Sequence, residues 1–294
     1  MSLRESAFQQ VAEGVSPGRR CALCQSTDTV VLFRKQGIDY SECRGCRFRF
    51  SSPDVNLNLA NGLDDYQAAY LQYLAPEPAD NANFDALRAW MEKRCALRNA
   101  RLLDVGAGSG KLVRRLATWD IHAEGLEPSR ALFDHFLSGD AKFTCDVLGN
   151  YRRSTTKRFD AITAFDVIEH VADPVEFLEQ VAALLNPGGA FFVSTPDVNS
   201  IAARAFGRRW HFYYPYHLSY FSPKTLAAAA KRHGLTLVDV RHRGKLRSLG
   251  YVVRYAAEFI GGRAAPRWAS RFDNWYLPIN LFDVMYLCFR RERA

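Results

Sequence analysis

A chain of 294 residues that is 48% hydrophobic has the size and composition of a packed globular protein with one large domain and a small appendage. It holds no run of 18 or more apolar residues, and its first thirty residues lack the apolar stretch and cleavage site of a secretory signal, so a cytoplasmic protein is expected and a membrane span is excluded. The net charge of +8 is concentrated, since residues 241–294 hold eleven Lys/Arg against four Asp/Glu. That bias suits an anionic partner (a phosphorylated or carboxylated small molecule, RNA or a membrane surface) and equally a solvated basic face.

In chain order, Cys21-x2-Cys24 and Cys43-x2-Cys46 come first, with 18 residues between the pairs. Two such pairs are the arrangement that wraps one tetrahedral Zn2+. Four thiolates leave no open coordination position, and so small a unit needs metal-binding energy to fold, so the zinc is expected to be structural. Cys95, Cys145 and Cys288 are isolated and read as small core residues. This gives a zinc-ribbon module over 1–52. A helical linker or lid follows over 53–99, with a turn-rich stretch at 51–62 and helical patterns near 64–74 and 82–98. From Arg101 onward short apolar strands alternate with helices, which predicts a parallel sheet covered on both faces. Ser222-Pro223 opens a further helix that Gly234 stops. TLVDVRH and VMYLCFRR then close the 100–294 domain around an insertion at about 243–281. In that insertion Leu246, Leu249, Tyr251, Val252, Val253, Tyr255 and Phe259 alternate with Lys245, Arg247 and Arg254. The pattern fits a cationic flap over an acceptor, a peripheral membrane contact, or a packed helical decoration.

The stretch LLDVGAGSGKLV places Asp104, Gly106, Gly108 and Gly110 between a strand and a helix. Glycines there allow a sharp turn and close approach to a ligand, and the helix N-terminus faces it. Such a turn alone suits a dinucleotide as well. Context narrows the choice: Glu127 ends the second strand, where a carboxylate can accept from ribose hydroxyls, and Asp146 ends the third, placed for an adenine amino group. The succession DVGAGSG, GLEPS, CD, FDVIEHVADP and LNPGGAFFVSTPD resembles the class I S-adenosylmethionine-dependent methyltransferases over residues 100–197. The resemblance implies an α/β, Rossmann-like sheet of seven strands with the last pair antiparallel, in addition to the zinc ribbon. It also implies that Asp104, Gly106, Gly108 and Gly110 line the methionine moiety, Glu127 holds the ribose, Asp146 and Val147 frame the adenine, and Phe165 and Asp166 face the sulfonium.

The segment 207–226, GRRWHFYYPYHLSYFSPKTL, together with CRGCRFRFSSP, resembles the family 23 methyltransferases of bacterial glycan and secondary-metabolite pathways. Sugar C-methyltransferases with a similar ribbon carry an extra C-terminal domain not found here. The expectation is therefore O-methylation of a small-molecule or glycan hydroxyl, with sugar C-methylation, RNA methylation and a non-catalytic cofactor-binding partner as the alternatives. Methyl transfer needs in-line alignment, and a hydroxyl acceptor gains from a base. His217, His170 and His211 are the candidates, with Asp166 beside the methyl; Trp210, Phe212, Tyr213, Tyr214 and Tyr216 offer stacking faces or core packing. DVIEH at 166–170 resembles the glutamate-x-x-glutamate-histidine set of ubiquinone-pathway and small-RNA O-methyltransferases. That resemblance implies Mg2+ at Asp166, Glu169 and His170, with His217 as a fourth ligand.

Overall fold

The computed structural model describes residues 20–51, 79–257 and 266–293. The helical pattern near 64–74, Phe259 and nearly all of the 51–62 stretch lie outside the described residues. The ribbon contributes β1 (Thr29–Lys35), β2 (Ile38–Cys43) and β3 (Arg49–Ser51). The chain then runs through β4 (Arg101–Val105), β5 (His122–Leu126), β6 (Phe143–Thr144), β7 (Phe159–Phe165), β8 (Leu185–Pro196), β9 (Ser219–Tyr220), β10 (Leu235–His242), β11 (Lys245–Ser248), β12 (Tyr276–Ile279) and β13 (Val284–Arg291).

Seven of these form one sheet in the order β10-β13-β8-β7-β4-β5-β6. β4 to β8 pair in parallel, while β13 is antiparallel to both β8 and β10. The central strands are largely buried because helices cover both faces; in β8 every residue from Ala190 to Pro196 is buried. Local chemistry sets the helix starts. Asp173 accepts from the amides of Val175 and Glu176 ahead of Pro174, and the helix Pro174–Leu184 buries Phe177, Leu178 and Val181 against the sheet. Ser222 and Thr225 form a reciprocal capping box at the head of Pro223–Lys231, and Gly234 follows its end at φ 70°. The helix expected over 82–98 spans Asp80–Glu92 instead, because the amides of Arg94 and Cys95 both fold back onto the Met91 carbonyl.

The ribbon shares a sheet with the larger domain. β9, from the 207–226 segment, pairs with β3 to complete the order β1-β2-β3-β9. Cys21, Leu23, Cys43, Phe48 and Phe50 belong to the same buried cluster as Ile162 and Phe191, while Ile38 and Tyr40 pack with Trp210, Tyr213 and Tyr220. In the insertion, β11 and β12 pair antiparallel across the short helix Leu249–Tyr255 and a 3-10 turn at Arg267–Phe272. Asn83 docks this hairpin, accepting from the Leu246 amide at 2.8 Å and donating to its carbonyl at 3.0 Å. Among the described residues no helix is long and apolar enough to cross a membrane.

Gly110 caps the helix Lys111–Ala117 in left-handed backbone, and a Cβ there would lie 2.6 Å from Phe143 Cζ and 2.7 Å from Leu137 Cδ2. Gly110→Ala is expected to destabilise the chain by about 1–3 kcal/mol in urea denaturation, combining backbone strain with overpacking. An unchanged midpoint would contradict this account of the turn.

Candidate active site

The turn after β4 is built to hold an open loop at the sheet's C-terminal edge. The amides of Gly106 and Ala107 donate to the Leu126 carbonyl at 2.9 and 2.8 Å, and Gly106, Gly108 and Gly110 all have positive φ. Glu127, buried at the end of β5, accepts from the Gly108 amide through Oε2 and from the Ser129 amide through Oε1, each at 2.8 Å. Each oxygen keeps a second lone pair for a further donor. Asp104 is buried beneath the loop and accepts from the Thr163 hydroxyl at 2.6 Å. Asp146 accepts from the Val147 amide at 2.8 Å and Asn150 Nδ2 at 2.9 Å, leaving Val147 half exposed. The acids and glycines singled out in the sequence therefore gather along the ends of β4, β5 and β6, with Phe165 packed on Tyr286 at the end of β7.

A second group forms where the chain leaves β7. Asp166 sits at φ 56°, a costly backbone for a residue other than glycine. Its amide donates to the Ser194 carbonyl and hydroxyl oxygens, and its carboxylate accepts from Ser194 Oγ at 2.7 Å and Lys245 Nζ at 3.1 Å. Burial opposes ionisation of Asp166, but Lys245 and Ser194 hold its carboxyl below the ordinary range. Three residues on, Glu169 is almost fully buried beside Thr195, and among the described residues its Oε2 has no partner at hydrogen-bonding geometry. Burial, reinforced by the Asp166 charge, pushes Glu169 up to about 8.

Beside Glu169 lie two imidazoles. His170 Nδ1 faces the Tyr216 carbonyl at 2.8 Å and His217 Nδ1 faces the Phe212 carbonyl at 3.0 Å, with ring centroids 4.7 Å apart. A carbonyl only accepts, so both Nδ1 atoms carry the proton and both Nε2 atoms keep a lone pair. Burial lowers both histidines, His217 to about 3, which keeps the rings neutral. One donor atom from each of Glu169, His170 and His217 lies within 4.8 Å of the others. This differs from the expected Asp166–Glu169–His170 set: Lys245 and Ser194 engage Asp166, and His217 takes its place in the cluster.

His211 turns elsewhere, its Nε2 3.8 Å from Asp283. Trp210 and Tyr213 are core residues, whereas Phe212 stacks on His217 and Tyr214 is partly exposed. Thr163, from the middle of a strand, and the pair His242–Asp197 (2.8 Å), which joins the ends of β10 and β8, carried no sequence signal, and Lys245, legible only as one cation of the insertion, reaches Asp166. In the ribbon, Cys21, Cys24, Cys43 and Cys46 bring their sulfurs within 4.8 Å of one another, a donor set and spacing that fit one tetrahedral Zn2+.

A glycine-lined turn after the first central strand, acids at the next two strand ends, and this strand order with one reversed strand define the class I S-adenosylmethionine-dependent methyltransferases. Residues 66–240 match the family 23 methyltransferase domain, and the chain belongs to that family. The chain is 30% identical over 169 residues to the ubiquinone biosynthesis O-methyltransferase of Xylella fastidiosa strain 9a5c, a match covering 51% of this chain and 67% of that protein. It is 32% identical over 117 residues to the protein of the same name from Coxiella burnetii strain RSA 493, covering 37% of this chain and 49% of the relative, so it spans about half the length of the Coxiella proteins it matches. Among solved structures, a Galdieria sulphuraria methyltransferase superposes with a TM-score of 0.53 at 14% identity, over 78% of this chain and 99% of that one. An S-adenosylmethionine-dependent methyltransferase of Thermotoga maritima superposes at 0.50 and 15% identity, over 78% and 98%. At these identities the two structures bear on the fold alone.

Burial pushes Asp104 from its ordinary 3.8 up to about 7, partly offset by the Thr163 hydrogen bond and reinforced by the Glu127 charge. The folded chain thus keeps a proton that the unfolded chain releases near pH 4, and stability must fall as pH rises between those values. Asp104→Asn retains an acceptor for Thr163 and abolishes the titration. Without cofactor the variant is expected to be more stable than the wild type at pH 8 by on the order of 2–4 kcal/mol, and to lose that advantage below pH 4. Denaturation curves running parallel at all pH values would contradict the assignment.

Proposed function

We propose that this chain transfers the methyl group of S-adenosylmethionine to a hydroxyl oxygen of a small anionic acceptor, next to a divalent cation held by Glu169, His170 and His217. The observation that carries the reading is the buried Glu169 carboxyl, one oxygen of which has no hydrogen-bond partner among the described residues, beside two imidazoles whose Nδ1 atoms are committed to backbone carbonyls. Metal-binding histidines are held in this way, by a carbonyl that fixes the tautomer. A deprotonated carboxylate and two neutral imidazoles form a donor set suited to Mn2+, Fe2+ or Zn2+, and one that Mg2+ would share only with added water. When bound, such an ion lowers the pKa of an acceptor hydroxyl and orients it. The relatives' shared description as O-methyltransferases supports an oxygen acceptor.

In this reading the protein's residues mainly bind and align. Asp104 meets the cofactor's ammonium and Glu127 its ribose hydroxyls, while the glycines let the methionine backbone lie against the loop. Asp146 and Val147 border the adenine and Phe165 the sulfonium side. Transfer is a displacement in line: the bond from the acceptor oxygen to the methyl carbon forms as the methyl–sulfur bond breaks, the sulfonium leaves as a neutral thioether, and the hydroxyl proton passes to water. A cleft of about 560 Å3 between the helix Asp80–Glu92 and the end of β10 is lined by Trp90, Lys93, Arg241, His242 and Arg243, a cationic surface two residues before Lys245. The excess of basic residues over 241–294 supports an anionic acceptor. The four ribbon thiolates in the same reading hold a structural zinc.

Two measurements test the proposal. Glu127→Ala is expected to weaken cofactor binding by about tenfold or more in calorimetry, the scale of a lost charged hydrogen bond; unchanged affinity would move the cofactor elsewhere. Wild-type protein supplied with Mn2+ and labelled cofactor should methylate members of a panel of hydroxylated aromatic and sugar acids. EDTA, at a concentration that elemental analysis shows to leave the thiolate zinc in place, should abolish transfer, and Glu169→Gln should do the same. Turnover that survives both would exclude the cation and leave His170 or His217 as a plain base.

A further inference from the structure

The sequence presents the zinc ribbon as a small appendage with a structural metal. The contacts give it another place. The segment 212–220, which carries His217, is tied at one edge to the β7 exit: the amides of Leu218 and Ser219 both donate to the Glu169 carbonyl, at 2.8 and 3.1 Å. Its other edge is tied to the ribbon. β3 pairs with β9 through Arg49↔Tyr220 and Phe50↔Ser219, and the Ser51 amide donates to the Leu218 carbonyl at 3.0 Å. The Ser51 hydroxyl, fully buried, donates to the carbonyl of His217 itself at 3.0 Å.

Further out, Arg49 is fixed by the buried Glu42 at 2.8 Å and reaches the Tyr213 hydroxyl at 3.1 Å, and Lys35 donates to the Tyr213 carbonyl at 2.7 Å. Both Glu42 and Cys43 lie on β2, and β3 begins three residues after Cys46. Ser51 and Arg49 lie on β3 and Lys35 on β1, so the thiolate cluster, which joins the end of β2 to the approach to β3, fixes the strand that carries Ser51 and Arg49.

We propose that Ser51 is a positioning residue for methyl transfer, and that the four-cysteine ribbon serves as a brace that holds the His217 imidazole in register with Glu169 and His170. The brace acts on one side of the reaction centre only. No ribbon residue is bonded to the Gly106–Gly110 turn, Glu127 or Asp104 among the described contacts, so the cofactor side should not register its loss. The role of the cluster as a cation and acceptor site rests on the proposed function; the brace itself does not.

Substitution of a ribbon cysteine risks unfolding the chain, so the test uses Ser51→Ala with Ser51→Thr as the conservative control, both in the zinc-containing protein. Imidazole 15N spectra should show the His217 Nδ1 proton, bonded to the Phe212 carbonyl, exchanging slowly in the wild type, at least tenfold faster in Ser51→Ala, and slowly again in Ser51→Thr. Mn2+ affinity should fall about 10- to 100-fold in Ser51→Ala, the usual effect of losing a group that orients a ligand, while cofactor affinity and zinc content stay at wild-type values. A His217 signal and Mn2+ affinity that match the wild type in Ser51→Ala would overturn the proposal, as would a parallel loss of cofactor affinity, the mark of general unfolding. If the wild type binds no Mn2+, the cation reading falls and the imidazole spectrum alone decides for or against the brace.

Discussion

The functional half of the molecule depends on how the chain leaves β7. Asp166 takes a left-handed backbone that a side chain other than glycine's adopts only when its surroundings insist, and two hydrogen bonds from its amide to Ser194 supply that insistence. The turn throws Val167 against Gly106, where a Cβ would come within 2.6 Å of Val167 Cγ2. The loop after β4 and the loop after β7 are thereby interlocked. One gathers the buried acids Asp104 and Glu127 around Gly106–Gly110; the other carries Asp166, Glu169 and His170.

Electrostatics gives that geometry its meaning. Asp104, Glu127 and Glu169 are each about 5% exposed or less, and none of them has a lysine or arginine as a direct partner among the described contacts. Burial raises the pKa of all three. Buried carboxylates left short of positive charge destabilise an empty protein, and they suit a ligand that brings its own. S-adenosylmethionine carries an ammonium and a sulfonium, and a divalent ion would complete the compensation at Glu169. Lys245 pairs directly with Asp166, which explains why the shorter acid stands apart from the Glu169 cluster although it lies in the same DVIEH stretch.

Much of this was legible in the sequence because it is local. The capping residue Ser222, the glycine turn, the paired cysteines and the alternation of strands and helices are fixed by neighbours a few positions apart, and they fell where expected. What was hidden depends on long-range pairing. Nothing in RFS or SY announces that β3 and β9, separated by most of the catalytic domain, form one sheet edge. The same holds for Lys245, which reached Asp166 only because the β11–β12 hairpin docks through Asn83. DVIEH groups Asp166 with Glu169 and His170 in the sequence, but spacing along a helix-like turn does not reveal which acid a distant lysine will claim.

The central claim, a cofactor site and a cation site meeting at the ends of β4 and β7, is open to direct observation. Crystals grown with S-adenosylhomocysteine and Mn2+ should give an anomalous peak at the manganese edge between Glu169, His170 and His217, with the ribose hydroxyls on Glu127 and the sulfur turned toward that peak. Density for the nucleoside away from Glu127, or manganese found only at the four cysteines, would contradict it.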